Sequence, residues 1–154
     1  MFWNKIKKEE LHAPVNGNII NLESVEDEVF SSKMMGQGFA VEPFDGQICS
    51  PTKGEVISIF PTKHAIMIKT NENREMLIHM GIDTVELESQ GFEILADEGE
   101  NITIGTPLAI IDLDYLSEQN KLNTIIIVFP DNSDIQVNVN TGKVKLGESI
   151  GYIK

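Results

Sequence analysis

The chain has 154 residues, enough for one domain with a substantial core, and carries 12 basic against 24 acidic residues for a formal net charge of -12. That balance excludes a polyanion such as nucleic acid as the natural partner and suits solubility and a basic protein partner. No apolar run approaches the ~18 residues of a membrane helix, and the lysines at the start lead into no apolar stretch, so neither a span nor a signal peptide is expected.

Residues 1–10 read as a flexible N-terminal tail and residues 11–154 as a single domain. The start, Met1-Phe2-Trp3-Asn4-Lys5-Ile6-Lys7-Lys8, is about two helical turns, which is marginal for a stable helix, so a frayed end is expected ahead of a membrane-touching one. Beyond it, Gly and Pro punctuate the chain about every ten residues, with short β-branched runs between them. The predicted strands, in order, are Asn18–Asn21, Phe39–Glu42, Gln47–Cys49, Glu55–Phe60, Ala65–Lys69, Glu75–His79, Phe92–Leu95, Pro107–Asp112, Thr124–Val128, Ile135–Asn140 and Ser149–Ile153. Many short strands between turn signals predict an all-β fold, an antiparallel sandwich or barrel. Two short helices are expected at Val29–Met35 and Tyr115–Lys121, the second with an acidic N-terminal cap from Leu113-Asp114.

Two internal echoes point to a duplicated β-unit. Ala13-Pro14-Val15-Asn16-Gly17-Asn18-Ile19 is similar to Ser50-Pro51-Thr52-Lys53-Gly54-Glu55-Val56. Ile102-Thr103-Ile104-Gly105-Thr106-Pro107-Leu108 is similar to Val144-Lys145-Leu146-Gly147-Glu148-Ser149-Ile150. Recurrent turn chemistry would give the same likeness without duplication. The single cysteine, Cys49, lies in an apolar stretch and reads as buried filler in a chain from a reducing cytoplasm.

The chemistry gathers at His64 and His79. They stand on Ala65-Ile66-Met67-Ile68 and Met76-Leu77-Ile78, two runs joined by the polar stretch Thr70–Arg74. With Asn71-Glu72 as a two-residue hairpin turn, Thr70 opposes Asn73 and His64 falls directly opposite His79. Opposed Cβ atoms lie about 4.5–5.5 Å apart, within reach of one small group. A turn displaced by one residue would send the two rings to opposite faces. A neutral imidazole is a good nucleophile, so one histidine can take a phosphoryl group while the other donates a proton to a phosphoryl oxygen. Thr62, two residues before His64, can hold that ring in one tautomer. Asp83, four residues after His79 and past Gly81, can flank the site. His12 has no partner in the sequence and reads as structural. The chain has no G-x-x-x-x-G-K-[ST] loop and a single arginine, Arg74, so it offers neither a nucleotide cradle nor an arginine clamp.

The stretches Thr62-Lys63-His64-Ala65 and Leu77-Ile78-His79-Met80-Gly81-Ile82-Asp83-Thr84-Val85-Glu86-Leu87 resemble the signature of the glucose-type enzyme IIA proteins of the bacterial sugar phosphotransferase system. Ala13-Pro14-x-x-Gly17, Val29-Phe30, Lys33-Met34-Met35-Gly36, Ser50-Pro51-x-x-Gly54 and Gln90-Gly91-Phe92 agree in order, so the likeness runs from about Leu11 to the end. It implies a cytoplasmic, monomeric phosphocarrier with an antiparallel β-sandwich. The resemblance makes His79 the phosphoryl acceptor, on its tele nitrogen, and His64 the supporting donor. It makes Thr62 the residue that orients His64, and Asp83 a flanking acid. The donor would be the histidine phosphocarrier HPr and the acceptor a cysteine of the IIB domain of a sugar permease. Regulation of other proteins through the phosphorylation state is a further implication.

The chain departs from the family pattern at Gln37, where an acidic residue is usual; the lost charge bears on partner recognition. No cofactor is implied, although two facing imidazoles can bind zinc at His64 and His79 adventitiously or at an interface. Two other readings stay open on the residues alone. One is a zinc hydrolase using His64, His79 and Asp83, without the usual H-x-H or H-E-x-x-H spacings. The other is a biotinyl or lipoyl carrier, for which Lys33 lacks one of its two flanking methionines.

Overall fold

The computed structural model describes residues 7–130 and 134–154. The strands are β1 (Glu9–His12), β2 (Gly17–Asn21), β3 (Gln37–Pro43), β4 (Gln47–Cys49), β5 (Gly54–Ile59), β6 (Ala65–Thr70), β7 (Glu75–Met80), β8 (Phe92–Ile94), β9 (Asn101–Ile102), β10 (Pro107–Ile111), β11 (Ile125–Phe129), β12 (Val137–Val139), β13 (Gly142–Val144) and β14 (Ser149–Ile153). The helices are α1 (Glu28–Ser31) and α2 (Leu113–Glu118). An eight-stranded sheet runs β13-β2-β3-β11-β7-β6-β5-β9, and two three-stranded sheets run β1-β14-β12 and β4-β10-β8. Every pairing is antiparallel.

All eleven expected strands are present, within a residue or two of their expected ends. The three unexpected ones are short. β9 and β13 offer too few residues to display an alternating pattern. β1 reads Glu-Glu-Leu-His; of its two inward residues Leu11 joins the main core, but the other is the carboxylate Glu9, which breaks the apolar alternation. Glu9 and Glu10 therefore belong to the domain and not to a tail, while residues 1–6 of the expected tail lie outside the described residues.

The expected helix Val29–Met35 is one turn, Glu28–Ser31. It is capped by Asp27, whose carboxylate accepts the Val29 and Phe30 N–H groups at 2.9 and 3.4 Å. Lys33 then turns left-handed (φ 66°) and ends it. The second helix starts earlier than expected because its cap is Asp112, accepting Tyr115 N–H at 3.0 Å, and not Asp114.

The eight-stranded sheet divides two cores by simple alternation. Met76, Ile78 and Met80 of β7, with Ile125, Ile127 and Phe129 of β11, face the main core between the sheets. Leu77 of β7, with Ile126 and Val128 of β11, faces a smaller core. The segment from Leu22 through Phe30 to Met35 supplies the other side of that smaller core. Both central strands are buried on both faces, which is why β11 reads as an unbroken apolar run.

The sequence echoes are traces of an internal two-fold correspondence. Gly17 pairs with Val144, and its counterpart Gly54 pairs with Ile102. His12 pairs with Ser149, and Cys49 with Pro107. The hydrogen bonds between the halves are reciprocal: His12 N–H donates to Pro51 at 2.9 Å and Cys49 N–H to Pro14 at 2.8 Å. Gly147 N–H donates to Ala13 at 2.9 Å and Gly105 N–H to Ser50 at 3.0 Å. The strand order of the large sheet reads as the same list from either end under this exchange. Its centre is the pairing of Ile78 with Ile127.

The arginine that could not form a clamp has a structural task. Arg74 donates to Glu9 at 2.6 Å and to the Lys7 carbonyl at 2.9 Å. Glu9 also accepts Thr70 Oγ1 at 2.8 Å and Glu72 N–H at 3.2 Å. Both charged side chains are buried, so the pair fastens β1 to the β6–β7 turn. Arg74→Ala strands a buried carboxylate and should cost about 3–5 kcal/mol. The double change Glu9→Leu with Arg74→Met should recover part of that loss; urea unfolding of the two variants and the parent measures both.

Candidate functional site

His79 sits on β7 with Ala65 of β6 on one side and Ile126 of β11 on the other. This register differs by one residue from the expected one. The β6–β7 turn is not Asn71-Glu72 but Asn71-Glu72-Asn73, closed by Thr70 N–H to Arg74 at 2.8 Å and Asn73 N–H to Thr70 at 2.9 Å. Asn73 takes the left-handed conformation (φ 62°) that a three-residue hairpin loop needs and that asparagine tolerates.

By strand parity alone the two histidines should now lie on opposite faces. They do not: their ring centroids are 4.9 Å apart, at an interplanar angle of 80°. The reason is that His64 is outside the strand. It is the last residue of the loop 60–64 that joins β5 to β6, and it follows left-handed Lys63 (φ 62°). Its carbonyl still accepts Met80 N–H at 2.7 Å, which fixes its height beside β7. Its side chain is free of the up-down alternation and turns toward His79.

Each ring is held through Nδ1. His79 Nδ1 lies 2.8 Å from the Gly81 carbonyl. A carbonyl only accepts, so this nitrogen carries the hydrogen and Nε2 presents its lone pair. The bend that aims the carbonyl back at the ring is rigid. Gly81 has φ 84°, and a Cβ there would come within 2.4 Å of Thr84 Cγ2. Thr84 Oγ1 in turn donates to the Met80 carbonyl at 2.6 Å. His64 Nδ1 is 2.6 Å from Thr62 Oγ1, as expected for a residue two positions earlier. A hydroxyl that donates to Nδ1 leaves His64 with an Nε2–H.

Aromatic rings flank the pair. Phe30 packs on His79 at 4.9 Å between centroids, and Phe60 meets His64 edge-on at 5.7 Å. His64 is buried and His79 half-buried. Burial pushes the His79 imidazole down to about 4, and the neighbouring His64 ring adds to the fall; the Gly81 carbonyl and the Asp27 carboxylate oppose it. Burial also lowers His64. Both rings are therefore neutral near pH 7.

Asp83 starts the turn after β7 in a left-handed conformation (φ 58°) and is exposed. Among the described residues it makes no hydrogen bond or ion pair with either imidazole. The acid whose charge acts on His79 is Asp27, which the sequence reading passed over. Its signal was legible: an aspartate directly ahead of a helical Glu-Val-Phe is an N-cap signature.

Of the apolar residues Phe39, Val41, Phe44, Phe60, Leu77 and Met80, Phe60 meets a histidine ring. Phe39, Val41 and Met80 lie in the main core and Leu77 in the smaller one. Phe44 is exposed beyond β3 and packs against neither.

Two imidazoles are fewer than the three protein ligands of a catalytic zinc site. Among the described residues no group of three or more His, Cys, Asp or Glu side chains converges. Lys33, the candidate carrier lysine, pairs with Glu23 at 3.5 Å. Cys49 is buried with its thiol pushed up to about 11, which suits filler and not a nucleophile. His12 Nδ1–H donates to the Gly147 carbonyl at 2.9 Å, a tie between β1 and the turn that leads into β14. No helix among the described residues is long and apolar enough to cross a membrane.

Comparison with known proteins bears on this geometry. Residues 9–135 match the family described as phosphoenolpyruvate-dependent sugar phosphotransferase system, EIIA 1. The chain is 44% identical over 142 residues to the glucoside-specific EIICBA component of Staphylococcus carnosus. The match takes in 91% of this chain and 20% of that protein, so the chain spans about a fifth of its length. It is 41% identical over 130 residues to the glucose-specific EIIA component of Staphylococcus epidermidis, covering 83% of this chain and 78% of that protein. It is also similar to the structure of glucose permease IIA from Mycoplasma capricolum, with a TM-score of 0.88 and 35% identity over 98% of this chain and 99% of that one.

The depressed His79 value sets a pH dependence. The unfolded chain, with an ordinary imidazole near 6.5, binds its proton first as pH falls. His79 thus contributes nothing above about pH 6.5 and lowers stability progressively from there toward about pH 4. Titration followed by nitrogen-15 resonances should find the ring still neutral at about pH 5. His79→Gln should lose less stability than the parent between about pH 7 and 5, measured by chemical unfolding.

Proposed function

The chain belongs to the EIIA 1 family of the phosphoenolpyruvate-dependent sugar phosphotransferase system, and from that membership we propose a role for each residue of its histidine pair. The protein is a phosphocarrier of sugar uptake. In this reading His79 Nε2 is the phosphoryl acceptor, and the observation that carries it is the Nδ1–H bond to the Gly81 carbonyl. That bond reserves the lone pair of Nε2 for attack on phosphorus.

The donor is phosphorylated HPr, acting in the cytoplasm. The bond from phosphorus to the HPr histidine breaks as the bond to His79 Nε2 forms. Positive charge develops on the His79 ring, and the Gly81 carbonyl at Nδ1 stabilises it. His64 donates its Nε2–H to a phosphoryl oxygen, and Thr62 fixes the tautomer that makes this available. In the second step a cysteine thiolate of a permease IIB domain attacks phosphorus, and His79 leaves with the electron pair restored to Nε2. Neutral imidazoles suit both directions, because a site that held the phosphoryl group too tightly would oppose its release. Asp83 and Asp27 border the pair and leave the bond-making to the rings.

The surface supports contact with other proteins. Val29 and Met34 are exposed on the segment whose Phe30 covers His79, and Val85 is exposed just after Asp83. Apolar side chains of this kind around a reactive group are the usual signature of a docking face.

His79→Ala should abolish labelling by radioactive phosphorylated HPr. His64→Ala should still take label on His79 but pass it to the IIB cysteine about a hundredfold more slowly, the usual consequence of losing a stabilising donor. The assay must stay neutral or alkaline, since phosphohistidine is acid-labile. Normal labelling of His79→Ala would refute the assignment.

A further inference from the structure

The loop that carries His64 is held by very little. Residues 60–64 contain two internal hydrogen bonds that shape them: Lys63 N–H reaches back to the Phe60 carbonyl at 2.7 Å, and Thr62 meets His64; Phe60 N–H closes the loop onto the Ala65 carbonyl at 3.0 Å. Among the described residues, hydrogen bonds from outside the β5–β6 hairpin reach this loop at two places. Met80 N–H donates to the His64 carbonyl at one end, at 2.7 Å. At the other end Ser89 Oγ donates to the Pro61 carbonyl, at 3.1 Å.

Ser89 stands in an unusual backbone. Glu88 and Ser89 are consecutive left-handed residues (φ 50° and 77°), and Gly91 follows with φ 90°. Glycine adopts such angles freely, whereas a residue with a Cβ does so at a cost. A serine at position 89 accepts that cost, and its hydroxyl makes one hydrogen bond among the described residues, onto the His64 loop. The segment that presents it follows the turn after β7. Ser89 therefore links the two stretches of chain that place the two imidazoles.

We propose that Ser89 is a positioning residue for His64: by pinning the Pro61 carbonyl it fixes the loop that aims Thr62 and His64 at the phosphoryl group on His79. This rests on the assisting role given to His64 above. Ser89 touches no reacting atom. With it removed, the loop keeps one hydrogen bond from outside the hairpin, at the His64 end. The His64 ring then samples orientations in which Nε2–H misses the phosphoryl oxygen.

The test uses the full chain and three variants. Ser89→Ala deletes the hydroxyl. Ser89→Gly deletes it and also relieves the backbone. Ser89→Asn keeps a donor on a residue that tolerates the left-handed region. One exposed hydrogen bond corresponds to about a two- to tenfold change in rate. Onward transfer to the IIB cysteine should fall by about that factor in Ser89→Ala and Ser89→Gly and return toward the parent rate in Ser89→Asn. Melting temperature should stay level or rise in Ser89→Gly, so slow transfer there cannot be blamed on a loosened fold. Nitrogen-15 spectra of the imidazoles supply a readout independent of phosphate. His64 resonances should broaden or shift in the Ala and Gly variants while those of His79 stay put. Unchanged His64 resonances would overturn the proposal, as would transfer at the parent rate in both variants. Because the spectra report on the ring itself, they judge the clamp even if phosphorylated HPr fails to label the parent, an outcome that would instead defeat the functional reading.

Discussion

The pairing of β7 with β11 is the contact on which the molecule turns. It joins the two halves at Ile78 and Ile127, the centre of the internal two-fold correspondence. Both strands are buried on both faces, so neither can shift by one residue without driving a layer of isoleucine, leucine and methionine out of one core and into the other. His79 is embedded in this pair, opposite Ile126. The His79 ring thus projects from the doubly buried centre of the sheet. Its partner ring comes from a loop beside it.

That division has a chemical logic. A nucleophile must point one nitrogen outward and keep the other occupied, which needs a fixed backbone. In the proposed relay the rigid bend at Gly81 supplies that for His79. In the same proposal His64, as proton donor, follows a phosphoryl group whose oxygens move during transfer, and a short loop with two outside hydrogen bonds allows it some adjustment. Electrostatics reinforce the arrangement. In a chain of net charge -12 the imidazoles stay neutral because burial opposes protonation of both. Asp27 pulls His79 the other way without overcoming that effect.

The register of the histidine hairpin shows where pattern-reading works and where it fails. The polar turn, the two flanking strands and the meeting of the two rings were all legible. The route to that meeting was not. Three residues and not two form the turn, because Asn73 adopts a left-handed conformation that nothing in its neighbours announces. Strand parity would then separate the rings, but parity binds only residues inside a strand, and His64 has already left it. Asp27 and Asp83 make a related point. Asp83 lies close to His79 in the chain yet makes no bond with either ring. Asp27 is far away in the chain, and its charge reaches His79 because its cap holds α1 over the site.

From the sequence alone came the all-β architecture, eleven of its strands, the hint of duplication and the two histidines with Thr62. These rest on local signals: alternation, turn residues and short-range spacing survive in any reading of one strand at a time. Folding alone decided the inward turn of Glu9 onto Arg74, the packing of Phe30 on His79 and the approach of Ser89 to Pro61. It likewise placed His64 beside a ring from which strand alternation would have separated it. Each of those joins residues distant in the chain, and such a contact exists only once the sheets have closed and fixed which backbone groups are left to be satisfied.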